Sequence, residues 1–168
     1  MDDRRRRPDL TVVVGHMVLV GLGDMYLAQG DDRVLVARCL GSSAAVAIHD
    51  PESGVAGLLH WMLPASRIDP PRAQRNPFLF VDTGLPRFIE AAVERGASRQ
   101  GVMACLAGGA ALPEGGAYDV GVRNRTEALK LLAREGLAVR HVETGGTAVR
   151  ELSLEMGPGQ FAVRNLNL

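Results

Sequence analysis

Two largely apolar runs, Ala44 to Ile48 and Val55 to Leu63, are separated only by His49-Asp50-Pro51-Glu52-Ser53-Gly54. Apolar runs this short, joined by strong turn formers, read as neighbouring strands buried in one core. Immediately before them, Leu40-Gly41-Ser42-Ser43 supplies a small-residue turn with a hydroxyl at Ser43. Inside the second run lies one titratable side chain, His60. A hydroxyl at a turn and an imidazole one strand later could pair as nucleophile and base. Each also has an ordinary reading: Ser43 as a turn hydroxyl satisfying backbone groups, His60 as a hydrogen-bonded core histidine.

Further β-rich runs, Leu10 to Val14, Met17 to Val20 and Val34 to Cys39, precede this stretch, with turns at Gly21-Leu22-Gly23-Asp24 and Gln29-Gly30-Asp31-Asp32. The segment 65–77 is too charged and too rich in proline to be expected as strand or helix. Beyond it the apolar period becomes helical. Asp82 or Thr83 is the expected cap of a helix with Leu85, Phe88, Ile89, Ala92 and Val93 on one face, Pro86 in its first turn and Gly96 as its stop. Gly101 to Ala107 reads as a central strand. Asn124-Arg125-Thr126-Glu127 resembles a capping box opening a second helix, with Leu129, Leu132 and Ala133 as its apolar stripe and Gly136 as its end. Val139 to Val142, Val149 to Met156 and Phe161 to Leu166 are expected strands, the last two a hairpin across Gly157-Pro158-Gly159. The expected class is α+β, a layered domain with two principal helices on one side of a mostly antiparallel or mixed sheet system.

The 168 residues suffice for one domain, expected over 10–168, and 19 basic residues balance 19 acidic ones. That balance leaves no global field directed at nucleic acid, and no clean apolar run is long enough for membrane insertion. Arg4 to Arg7 followed by the stretch from Leu10 imitates a signal peptide, but His16 and glycines interrupt the apolar part, so residues 1–9 are expected as a solvated, disordered basic tail. Cys39 and Cys105 both sit in apolar runs and are expected as buried, reduced thiols, which favours a reducing, cytoplasmic setting. Gly21-Leu22-Gly23 lacks the third glycine and the following helix of a dinucleotide loop. His16, His49, His60 and His141 are scattered without metal-ligand spacing, so neither cofactor nor metal is expected.

In series, several segments resemble the bacterial chemotaxis protein CheD, the chemoreceptor glutamine deamidase. They are Leu40-Gly41-Ser42-Ser43, Ile48-His49-Asp50-Pro51, Gly57 with His60-Trp61-Met62-Leu63-Pro64, Asp82-Thr83, Ala107-Gly108-Gly109-Ala110, Val120-Gly121-Val122-Arg123-Asn124 and Glu143-Thr144-Gly145-Gly146. The resemblance implies a layered α/β/β fold, chemoreceptor cytoplasmic helices as substrate, and CheC-type phosphatase as a partner. It also implies a mechanism in which cysteine attacks a glutamine side-chain amide and histidine acts as base. The family's histidine falls on His60, its cysteine on Ser43, and its supporting threonine on Ala37; Thr147 stands where the family usually has asparagine. An engineered Cys-to-Ser trap would account for Ser43 but not for Ala37, so natural divergence is the favoured origin. Cys39 is a possible displaced nucleophile but a disfavoured one, since an extended chain would put it about 13 Å upstream of Ser43. The expectation is a CheD-like protein whose deamidase chemistry is weakened or lost and whose binding role is retained. The alternative is an active amidohydrolase using Ser43 with His60.

Overall fold

The computed structural model describes residues 11–114 and 116–167. The arginine tail expected over 1–9, including Arg4 to Arg7, lies outside them. The strands are β1 (Val12–Val14), β2 (Met17–Leu19), β3 (Asp24–Gln29), β4 (Val34–Leu40), β5 (Ala44–Asp50), β6 (Val55–Trp61), β7 (Met103–Gly108), β8 (Ala138–Thr144), β9 (Val149–Glu155) and β10 (Gln160–Leu166). The helices are α1 (Pro70–Arg75), α2 (Val81–Glu94) and α3 (Val120–Arg134). One sheet has the order β1-β2-β4-β9-β10 and the other β3-β6-β5-β7-β8. Both are mixed, because β2 runs parallel to β4 and β7 parallel to β8 while the other pairs are antiparallel.

The strand period of two sorts the core into two layers. Ala44, Val46 and Ile48 of β5, with Leu59 and Trp61 of β6, face α2 and α3 and pack with Leu85, Phe88 and Leu132. Ala45 and Ala47, with Ala56 and Leu58, face the first sheet and meet Leu35, Leu40, Leu152 and Leu154. The result is helices on sheet on sheet, as the α+β reading expects. The small side chains of β5 and β7 allow the two sheets to close on each other, which is why alanine dominates that layer.

Several local expectations are corrected. α2 starts at Val81 with Phe80 at its N-cap, so Asp82 and Thr83 lie inside the first turn. Asp82 instead accepts from Ser66 N and Ser66 Oγ, and Thr83 Oγ1 donates to the Pro77 carbonyl. Pro86 consequently falls in the second turn. α3 starts at Val120 with the Asp119 carboxylate accepting from Val122 N, so Asn124 is interior rather than a cap. Its buried stripe is Ala128, Leu131 and Leu132, while Leu129 is exposed. The 65–77 segment contains α1 after all, because Asp69 caps Arg72 N and Pro70 and Pro71 need no helical donors at N1 and N2.

Candidate active site

Ser43 and His60 meet where the chain crosses between the sheets. β4 belongs to the first sheet and β5 to the second, and only Gly41-Ser42-Ser43 links them. His60 sits opposite Ala45 in the β5–β6 register and shares the face of Leu58, so its ring enters the layer between the sheets. Ser43 Oγ lies 3.3 Å from His60 Nε2. On the other side of the ring, Nδ1 lies 3.3 Å from the carbonyl of Val20, the residue that follows β2. A carbonyl only accepts, so Nδ1 carries the proton and Nε2 is left as acceptor for the Ser43 hydroxyl. This is the tautomer a base would need.

The electrostatics are less favourable than the geometry. His60 is 6% exposed, and burial lowers its pKa from 6.5 to about 4, with the Val20 contact only partly offsetting the effect. At neutral pH it is an unprotonated, weak base. Behind it stands a neutral carbonyl, which orients the ring without the charge stabilisation that a carboxylate gives an imidazolium. Ala37 lies wholly buried in the layer between the sheets and its methyl side chain offers no hydrogen bond.

A cavity of about 350 Å³ opens beside the pair, lined by Val20, Leu22, Val36 and Cys39 together with Ser43 and His60. Cys39 departs from expectation twice. It is exposed rather than buried, and the β4 irregularity between Ala37 and Leu40, with Cys39 at φ +57° and its carbonyl accepting from Gly41 N at 3.0 Å, turns it into this cavity. The extended-chain separation of Cys39 from Ser43 therefore does not apply. Cys39 forms no hydrogen bond to His60 among the described residues. Cys105 does fit a buried thiol, pushed up to about 12 by burial and, to a smaller extent, by Glu143. Asn124, read from sequence as part of a cap, reaches Ser42 and Met62 instead. Its place after Val120-Gly121-Val122-Arg123 is the signal available, but a cap expected at Asn124, five residues past the observed Asp119, conceals it. A second groove of about 520 Å³, between the turn Ser66–Ile68 and α3, contains neither Ser43 nor His60.

Comparison with known proteins adds the family. Residues 62–165 match the family described as CheD chemotactic sensory transduction, beginning two residues past His60. A probable chemoreceptor glutamine deamidase CheD of Solibacter usitatus is 38% identical over 145 residues, 86% of this chain and 86% of that protein. The chain belongs to the CheD family. Probable chemoreceptor glutamine deamidases CheD 1 of Syntrophus aciditrophicus and CheD 2 of Anaeromyxobacter dehalogenans are each 34% identical, covering 88% and 89% of this chain and 93% and 94% of those proteins. No helix among the described residues is long and apolar enough to cross a membrane.

Proposed function

We propose that this protein acts in chemosensory signalling by engaging chemoreceptor cytoplasmic helices, and that its glutamine deamidase chemistry is weakened or lost. The weakened chemistry rests on the Ser43–His60 contact, where a hydroxyl stands against an imidazole held near pKa 4 with only a carbonyl behind it, and the receptor role rests on the likeness to chemoreceptor glutamine deamidases. Were Ser43 to react, Oγ would attack the side-chain carbonyl carbon of a glutamine and His60 Nε2 would take the hydroxyl proton. The tetrahedral oxyanion would then collapse, ammonia would leave with that proton, and water would release glutamate from the ester. Serine needs a stronger base than a thiol does, and here the base is desolvated. Lowering the imidazole pKa from 6.5 to about 4 disfavours its protonated form by about 3 kcal/mol, roughly two orders of magnitude in rate if fully expressed in the transition state.

Binding to receptor helices, or to a CheC-type phosphatase, demands the frame rather than the thiol. Immobilised receptor cytoplasmic domain should retain the purified protein. Failure to retain it, with retention of an active family member under the same conditions, would remove the binding reading. The second reading, an active amidohydrolase built on Ser43 and His60, is favoured by the base-competent tautomer. It predicts that a fluorophosphonate probe labels folded protein at Ser43 and that His60→Ala abolishes the label; absence of labelling would count against it.

A further inference from the structure

The turn that carries Ser43 is held from behind by a side chain that takes no part in the Ser43–His60 contact. Asn124, in the second turn of α3 and wholly buried, donates from Nδ2 to the Ser42 carbonyl at 2.8 Å and to the Met62 carbonyl at 2.9 Å. Ser42 immediately precedes Ser43, and Met62 lies two residues past His60. One amide group thus ties together the two chain segments that present the hydroxyl and the imidazole. Both Nδ2 hydrogens are consumed in doing so. Oδ1 is buried and meets no donor, so the residue is kept at the cost of an unsatisfied acceptor.

The neighbouring carbonyls are engaged on the same side. Ala110 N donates to the Gly41 carbonyl and Gly109 N to the Ser43 carbonyl, each at 2.8 Å. Gly108 is part of this close approach, since a Cβ there would fall 2.5 Å from the Ser43 carbonyl oxygen. Three successive carbonyls, those of Gly41, Ser42 and Ser43, are therefore drawn toward β7 and α3. The peptides are trans, so the N–H groups of Ser42 and Ser43 point the opposite way, and neither meets an acceptor among the described residues. Two free donors beside a nucleophile are the arrangement that stabilises a developing oxyanion.

We propose that Asn124 is a positioning residue of this site, acting through the Ser42 and Met62 carbonyls to set the residue-43 side chain against His60 and to keep the Ser42 and Ser43 N–H groups turned outward. The proposal rests on reading the Ser43–His60 cavity as the reaction site, but not on whether the serine still turns over.

A thiol introduced by Ser43→Cys reports this geometry without any need for receptor deamidation. Cys39→Gly serves as the background, because Cys39 is an exposed thiol lining the same cavity. Iodoacetamide alkylation is followed against pH in four proteins, with and without His60→Ala and with and without Asn124→Leu. A thiolate at residue 43 sets a negative charge beside the imidazole and favours its protonated form against burial, so with Asn124 present His60→Ala is expected to slow alkylation near neutral pH by about tenfold. With Asn124→Leu, the His60 factor is expected to fall to less than about twofold, because the two segments are no longer held in register. A merely structural anchor would lower Tm and leave the His60 factor unchanged, so equal factors in the two backgrounds overturn the proposal. If Asn124→Leu does not fold, Asn124→Ser, which keeps one donor, goes through the same cycle: a reduced His60 factor supports the proposal and an unchanged one refutes it. No His60 effect even with Asn124 present would overturn the reading of the site and the proposal with it.

Discussion

Mild acid should destabilise this protein through His60 before its structural carboxylates titrate. The unfolded chain takes up the His60 proton from pH 6.5 downward, whereas the fold accepts it only near pH 4 because burial opposes the charge. The folded-state pKa is depressed, so the unfolded state binds more protons throughout that window and stability falls as pH falls. The contribution is intact above pH 6.5, is lost progressively between 6.5 and 4, and levels off below. At pH 5 the loss works out at about 2 kcal/mol, approaching about 3 kcal/mol near pH 4. That is a large part of the usual margin of a single domain. The assay is urea unfolding at pH 7.5 and pH 5, for the natural protein and for His60→Gln. The natural protein is expected to lose about 2 kcal/mol more than the variant between the two pH values. His49 is also lowered, by burial and against the pull of Asp50, but it is present in both proteins and cancels in the difference. Asp50 titrates below its ordinary 3.8, because hydrogen bonds from Ser98, Ser53 and Glu52 outweigh its burial, so its own loss lies below the window. Equal losses in the two proteins would refute the placement of a neutral, desolvated imidazole between the sheets.

Ser43→Cys is expected to restore receptor deamidation only in part, because Ala37 still provides no hydrogen bond and His60 stays desolvated; rates equal to those of an active family member would show that the threonine position is overvalued. Cys39→Gly should raise Tm by about 2–4 °C, since relieving a left-handed conformation at φ +57° recovers about 1 kcal/mol. Gly57→Ala should cost about 1–3 kcal/mol in chemical denaturation, because the added Cβ would fall 2.6 Å from the Tyr26 carbonyl oxygen and 2.7 Å from Leu27 Cδ1. An unchanged unfolding midpoint for either glycine variant would contradict the packing described.

The inner strands were legible in the sequence because β5 and β6 are buried on both faces and therefore read as continuous apolar runs. Strand β3 escaped the run pattern for the opposite reason: Asp24 to Ala28 are all half-buried at a sheet edge, so neither face is cleanly apolar, and only the failed dinucleotide loop hinted at a strand there. The two helix starts differ from the sequence reading because the expected caps serve tertiary contacts, Asp82 with Ser66 and Asn124 with two carbonyls from distant segments, while α3 takes its local cap from Asp119 upstream. The pair Ser43 and His60 could be proposed from turn chemistry and a titratable residue in an apolar run, and the contact of 3.3 Å shows that the fold brings them together. The bend at Cys39 has no signature in the apolar pattern, which reads as an extended strand where a bulge turns the thiol into the cavity.

The central claim, a CheD frame whose reaction is weak or absent, is tested most directly by incubating the purified protein with receptor cytoplasmic domain and following receptor peptides by mass spectrometry. Receptor glutamines are expected to stay unconverted, or to convert only in trace amount, under conditions in which an active family member gives the one-dalton gain of glutamine to glutamate. Robust conversion that disappears in His60→Ala would contradict it.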